Sequence, residues 1–91
     1  MEKRIGTVTL LIVDRAQTRQ INDILSDFGD IILCRQGLPF HDRPIAVISL
    51  IVEGPMDRLN TLTGKIGRLP GVQAKVALTS IEPKAAGAEQ Q

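Results

Sequence analysis

Apolar and polar residues alternate with a period of two over residues 3–13, where Val8, Leu10 and Ile12 fall on one side and Thr7, Thr9, Leu11 and Val13 on the other. That period predicts a strand. The period then changes: Ile21, Ile24, Leu25 and Phe28 recur at i, i+3, i+4 and i+7, a single apolar stripe on a helix. Asp14 reads as its N-cap, Gln17 completes a capping-box pattern, and Gly29 stands where a C′ glycine would stop it. Residues 30–37 read as a second strand and residues 44–53, PIAVISLIVE, as a third, rich in β-branched side chains. The intervening LPFHDRP holds two prolines and reads as a loop. Gly54 and Pro55 open a second helix with Pro55 in its first turn, Leu59, Leu62, Ile66 and Leu69 form its stripe, and Pro70 and Gly71 end it. Residues 72–81 alternate as a fourth strand. From Pro83 the run PKAAGAEQQ has no apolar periodicity, which predicts a domain over residues 1–82 and a disordered tail over 83–91.

Strand, helix, strand, strand, helix, strand is the ferredoxin-like βαββαβ order, an α+β fold with a four-stranded antiparallel sheet and two helices on one face. The uncovered face should then be polar in a monomer. The richer parity set, Val8, Leu10, Ile12, Ile31, Leu33, Ala46, Ile48, Leu50, Val52, Val72, Ala74, Val76 and Leu78, is assigned to the helices. The opposite set still contains seven large aliphatics, Leu11, Val13, Ile32, Ile45, Val47, Ile51 and Ile81, among Thr7, Thr9, Ser49, Gln73, Lys75 and Thr79. Burying them would contribute on the order of 10–20 kcal/mol, against an association cost of about 4–15 kcal/mol. A homo-oligomer joined through this face, or by edge pairing of strands, is expected.

Composition narrows the function. Ninety-one residues make one domain. A net charge of +1 gives no electrostatic footprint for nucleic acid or anionic lipid, and the strands lack the aromatic side chains on which RNA bases stack. The single cysteine, Cys34, excludes an intrachain disulfide and fits a reducing compartment. Lys3 and Arg4 before an apolar run imitate a signal peptide, but Asp14 and Arg15 end the run and no cleavage site follows. A cytoplasmic protein with neither a direct nucleic-acid partner nor a membrane partner is expected.

Catalytic constellations are absent from the sequence: there is one histidine, and the run TGKIG belongs to a helix rather than to a strand–helix phosphate loop. Arg15 and Asn22 stand in the first βα unit, as in small acyl-phosphate hydrolases, but without a glycine-rich cradle. No enzyme and no cofactor are expected. Cys34 and His41 are weak metal candidates that would need ligands from a second subunit. Arg35, Gly37 and Pro39 at the end of the second strand are the candidate ligand site, a guanidinium beside a glycine suiting a carboxylate or phosphate; Arg35 paired with Asp30 or Asp42 would instead hold the hairpin. Gly64 and Gly67 weaken the second helix, and close approach to a neighbouring element is their expected justification.

The start MEKR, the helix exit DFGDIILCRQGLP, the strand IAVISLIVEG and the run LTGKIGRLPGV occur in order over about residues 1–80. Together they resemble the iron-only hydrogenase system regulators, with Arg35, Gly37, Pro39, Gly64, Lys65, Gly67 and Gly71 the most specific matches. The resemblance implies an ACT-like fold and a regulator that binds a small ligand such as an amino acid between subunits and acts through a partner protein. The family is also similar to the C-terminal domain of nickel-responsive regulators, which binds metal through several histidines and a cysteine. This chain has one histidine and no ribbon-helix-helix segment, so nickel sensing and direct DNA binding do not carry over. The expected function is a ligand-responsive, non-enzymatic homo-oligomer; the alternatives are an assembly module without ligand and a metal sensor through Cys34 and His41.

Overall fold

Two central strands carry the longest uninterrupted alternation in the chain. In the computed structural model, which describes residues 3–79, β1 (Lys3–Ile12) runs antiparallel to β3 (Ala46–Pro55), in register from Lys3 opposite Pro55 to Ile12 opposite Ala46. β2 (Ile32–Pro39) flanks β3, and β4 (Val72–Leu78) flanks β1, giving the antiparallel order β2-β3-β1-β4. The helices α1 (Thr18–Asp27) and α2 (Met56–Gly67) make the two crossovers of a ferredoxin-like βαββαβ fold. Even-numbered residues of β1 and β3 (Val8, Leu10, Ile12, Ile48, Leu50, Val52) are buried with Ile21 and Leu25 of α1 and Leu59, Leu62 and Ile66 of α2. Among the described residues no helix is long and apolar enough to cross a membrane.

Element boundaries move by a few residues, each for a local reason. Asp14 does cap, accepting from the Ala16 N–H at 3.0 Å, but the turn it caps is a 3-10 turn over Arg15–Gln17, and α1 starts after it. The capping box does not close: Gln17 tucks its side chain inward and leaves Oε1 without a partner. Gly29 is not left-handed. Instead α1 unwinds through successive i to i+3 bonds, Phe28 N–H to Leu25 O and Gly29 N–H to Ser26 O, both at 3.2 Å, and Ile31 N–H to Phe28 O at 3.0 Å. Pro55 precedes α2 in extended conformation (ψ 151°) rather than occupying its first turn. Gly71, at φ 74°, makes the left-handed turn that returns α2 to β4, and its carbonyl accepts from Val13 N–H at 2.8 Å. Thr79 fastens the other end of β4, donating its N–H and its hydroxyl to Ile5 O at 2.9 and 2.7 Å. The expected tail and the last residues of the expected fourth strand, Ile81 included, lie outside the described residues.

The largest departure is in β2. The strand continues through Leu38 and Pro39, expected in the loop, because it is a sheet edge where proline forfeits no ladder bond. A bulge between Ile32 and Cys34 then shifts the register, so that Ile32 stands opposite Val52 while Cys34 stands opposite Ile51. The parity of the strand changes across that point. Ile32, expected on the uncovered face, packs against the core under the helices; Leu33, expected in the core, is 61 % exposed. Val76 keeps its helix-side register opposite Val8 but lies on the outer strand and is 41 % exposed.

Gly64 and Gly67 are not close-approach sites. Both are exposed, and a Cβ on either would meet nothing within 4 Å. Gly6 is the opposite case, since a Cβ there would sit 2.7 Å from the Ala77 carbonyl oxygen. Gly64→Ala is therefore expected to stabilise the fold by about 1 kcal/mol through helix propensity, whereas Gly6→Ala lowers stability because β1 and β4 must separate. Urea unfolding of the two variants checks the opposite signs.

Candidate functional site

The face of the sheet away from the helices is built from odd-numbered residues of β1, β3 and β4 and, beyond the bulge, even-numbered residues of β2, as the pairing register requires. Across the strands they fall into rows. One row runs Leu38, Val47, Leu11, Gln73; the next runs Gln36, Ser49, Thr9, Lys75; the third runs Cys34, Ile51, Thr7, Ala77. A fourth begins with Glu53 and Ile5. A polar row is thus flanked by two rows containing large aliphatics. Leu38 and Ile51 are 59 % and 41 % exposed, while Leu11, Val47 and Ile5 are half-buried by their neighbours. Val13 and Ile45 extend the apolar set beyond the strand ends, Val13 exposed and Ile45 half-buried.

A hollow of about 370 Å³ opens on this face, lined by Gln36, Gly37, Leu38, Val47 and Ser49. Its origin is steric: Ser49 is short and stands between Val47 and Ile51 along β3, while Gln36 and Leu38 form the outer wall on β2. Gly37 contributes backbone, since its register opposite Ile48 would aim a side chain to the helix side.

The sequence-predicted ligand trio is divided between the two faces. Arg35 stands opposite Leu50 and reaches over the helix side, donating to Asn22 Oδ1 of α1 at 2.6 Å. It pairs with neither Asp30 nor Asp42, which engage Arg58 and Arg43. Pro39, opposite Ala46, is also on the helix side, and of the three only Gly37 lines the hollow. Of the expected interface residues, Leu11, Val47 and Ile51 share the uncovered face, Val13 and Ile45 adjoin its rim, Ile32 is withdrawn from it by the bulge, and Ile81 lies outside the described residues. Leu38 and Ile5 take places that sequence reasoning did not assign. Cys34 is exposed on this face and His41 in the following loop; Cys34 and Pro39 alone are about 17 Å apart along the strand. No group of three or more His, Cys, Asp or Glu side chains that could hold a metal ion occurs among the described residues.

The arginines act as fasteners. Arg15 sends Nη2 to the carbonyl oxygens of Phe40, Ile45 and Arg43 at 2.9, 3.0 and 3.4 Å, pinning the β2–β3 loop to the end of β1. Arg43 lies over the Phe40 ring at 4.7 Å in the same loop. Arg58 lies over Phe28 at 4.4 Å and pairs with Asp30, joining α2 to the exit of α1. Arg15 and Asn22 are therefore engaged separately, by loop carbonyls and by Arg35, and share no anion cradle.

These features define the class: a small ACT-like α+β domain whose described residues leave one sheet face uncovered. A family model described as "Iron-only hydrogenase system regulator, putative" matches residues 4–76, and the chain belongs to this TM1266-like family. The uncharacterized protein TM1266 from Thermotoga maritima is similar in structure, with a TM-score of 0.82 and 34 % identity over 87 % of this chain and 100 % of that one. The ACT domain from the GTP pyrophosphokinase of Chlorobium tepidum follows at a TM-score of 0.58 and 23 % identity, covering 90 % of this chain and 92 % of that domain. SnoaB, a cofactor-independent oxygenase from Streptomyces nogalater, has a TM-score of 0.52 and 13 % identity over 89 % of this chain and 95 % of its own. The last two share the fold alone, one being a domain of a GTP pyrophosphokinase and the other an oxygenase. No curated protein matches the chain significantly.

Arg15→Ala is expected to release the loop over residues 40–45. The Phe40 amide, bonded to Ile45 O at 3.0 Å, should then exchange with solvent roughly tenfold faster, while core amides of β1 and β3 keep their protection. Hydrogen exchange read by NMR checks this.

Proposed function

We propose that this chain is a non-enzymatic, small-ligand-responsive regulatory module of an iron-only hydrogenase system, working in the cytoplasm as a homo-oligomer joined through its uncovered sheet face and acting on a partner protein. The observation that carries the reading is the apolar set on that face, Leu38, Val47, Leu11, Ile51 and Ile5, with no helix among the described residues to cover it. A second copy of the chain is the occupant its chemistry favours. Four strands about 4.8 Å apart and about 28 Å long give roughly 530 Å² in projection, and side-chain relief and the rim residues bring the patch toward the ~800 Å² per partner of a standard interface. Half-burial of several of these side chains reduces the apolar gain to roughly 5–10 kcal/mol, which still competes with the cost of association.

Charge is compatible with self-association. Lys75 and Glu53 lie on this face on different strands and in different rows and offset one another's charge, so two such faces meet without a net repulsion from this pair. Membership of a hydrogenase-system regulator family supplies the system. An effector shifts such an assembly only if it binds one state better than another, and a ligand seated between copies meets that condition because half of its contacts vanish on dissociation.

Sedimentation velocity at micromolar concentration tests the assembly: the wild type is expected to run as a dimer or larger, and Val47→Lys as a folded monomer with an unchanged circular-dichroism spectrum. A monomeric wild type overturns the oligomeric reading. Cells lacking the chain are expected to change hydrogenase output by several-fold, and unaltered output under every growth condition overturns the regulatory one.

A further inference from the structure

We infer that the hollow on the uncovered face, lined in part by Gln36 and Ser49 and continued past its rim along the same row by Thr9 and Lys75, is a binding site for a small aliphatic carboxylate that lacks a free amine. The inference rests on the regulatory reading above and narrows it, because an amino acid is the ligand that the ACT-like class would suggest. The hollow has the volume of a small-ligand site, about 370 Å³. Its walls are mixed in a definite way. Leu38 and Val47 lie along one side and supply an apolar surface of branched-chain size, and the Gln36 amide and Ser49 hydroxyl supply hydrogen bonds on the other.

Beyond the hollow's lining the same cross-strand row continues through Thr9 on β1, which adds a hydroxyl, to Lys75 on the opposite edge strand β4, which adds an ammonium, the only cation in the three rows nearest the hollow. A carboxylate placed over Ser49 and Thr9 therefore meets two hydroxyl donors, with a lysine able to fold over it from the next strand. An α-ammonium finds no counterpart. None of the residues in those three rows is acidic, and Glu53 lies four residues from Ser49 along β3, about 13 Å away. A zwitterion would have to leave its ammonium desolvated or turned to water, and that difference selects against it. Arg35, the anion-binding residue by sequence, cannot take part, since its guanidinium is committed to Asn22 on the opposite side of the sheet.

The test uses isovalerate, its neutral isostere isovaleramide, and L-leucine as probes of the full-length protein, read by amide chemical-shift perturbation and titration. Isovalerate is expected to move the Gln36, Gly37, Val47 and Ser49 amides and to bind at least tenfold more tightly than isovaleramide and than L-leucine. Lys75→Gln should abolish the preference for isovalerate over isovaleramide, Ser49→Ala should weaken both, and Arg35→Gln should leave both unchanged. Absence of shifts at these amides up to millimolar isovalerate overturns the site; L-leucine binding as well as isovalerate overturns the amine-free class; loss of binding in Arg35→Gln returns the site to the helix side. The oligomeric state is measured separately by sedimentation, so failure of the site is distinguishable from failure of the assembly.

Discussion

A four-stranded sheet has two sides, and the described residues of this chain supply helices for one. The unbroken register between β1 and β3 makes that imbalance consequential. With no slip between the two central strands, every even residue on them is driven under α1 and α2, and every odd residue is driven out. Val8, Leu10, Leu50 and Val52 are essentially inaccessible, so a one-residue slip would exchange a finished core for a half-polar one. The same constraint that secures the core fixes Leu11, Val47 and Ile51 on the outside. Their exposure is a consequence of register, and no rotation of the strands can hide them without dismantling the other side.

The bulge at Leu33 acts on this background. Had β2 kept one parity, Ile32, Cys34 and Gln36 would have shared a face, with Leu33 and Arg35 on the other. The extra residue instead lets Ile32 close the core against Val52 and still sends Cys34, Gln36 and Leu38 outward, while Arg35 stays near α1. Bulges commonly re-aim side chains at sheet edges, and here the result is a hollow with a neutral polar wall on one face and a guanidinium fastened to Asn22 on the other.

Much of the fold was legible because the periods are clean: the stripes of both helices, with Ile21, Leu25, Leu59, Leu62 and Ile66 all buried, follow directly from spacing. The site was less legible, for two physical reasons. A bulge leaves no mark in composition, so Ile32 and Leu33, adjacent isoleucine and leucine, are interchangeable to a pattern argument and opposite in the sheet. Cross-strand neighbours are also remote in sequence. Gln36, Ser49, Thr9 and Lys75 form a row only once the register is known, whereas Arg35 and Gly37 draw attention by being adjacent. Gly64 and Gly67 illustrate the converse error: a costly residue type invites a packing explanation, yet both positions are open, and nothing in the structure explains them.

The distribution of charge also bears on where function can reside. Arg15 holds loop carbonyls, Arg35 holds Asn22, Arg58 holds Asp30 and covers Phe28, and Arg43 lies on Phe40 beside Asp42. Individually such exposed contacts contribute little stability, on the order of 0–1 kcal/mol for an ion pair, but each ties together segments that the β-ladder leaves loose: the β2–β3 loop, the α1 flank of β2, the exit of α1. Guanidinium groups so placed are poor recruits for a ligand, since binding would first break a native contact. On the uncovered face Lys75 has no such commitment among the described side-chain contacts, and it shares a row with hydroxyls and an amide between two bands of aliphatics. Recognition there would draw on groups that folding has left unused, so binding at that surface would add to the stability of the domain instead of competing with it.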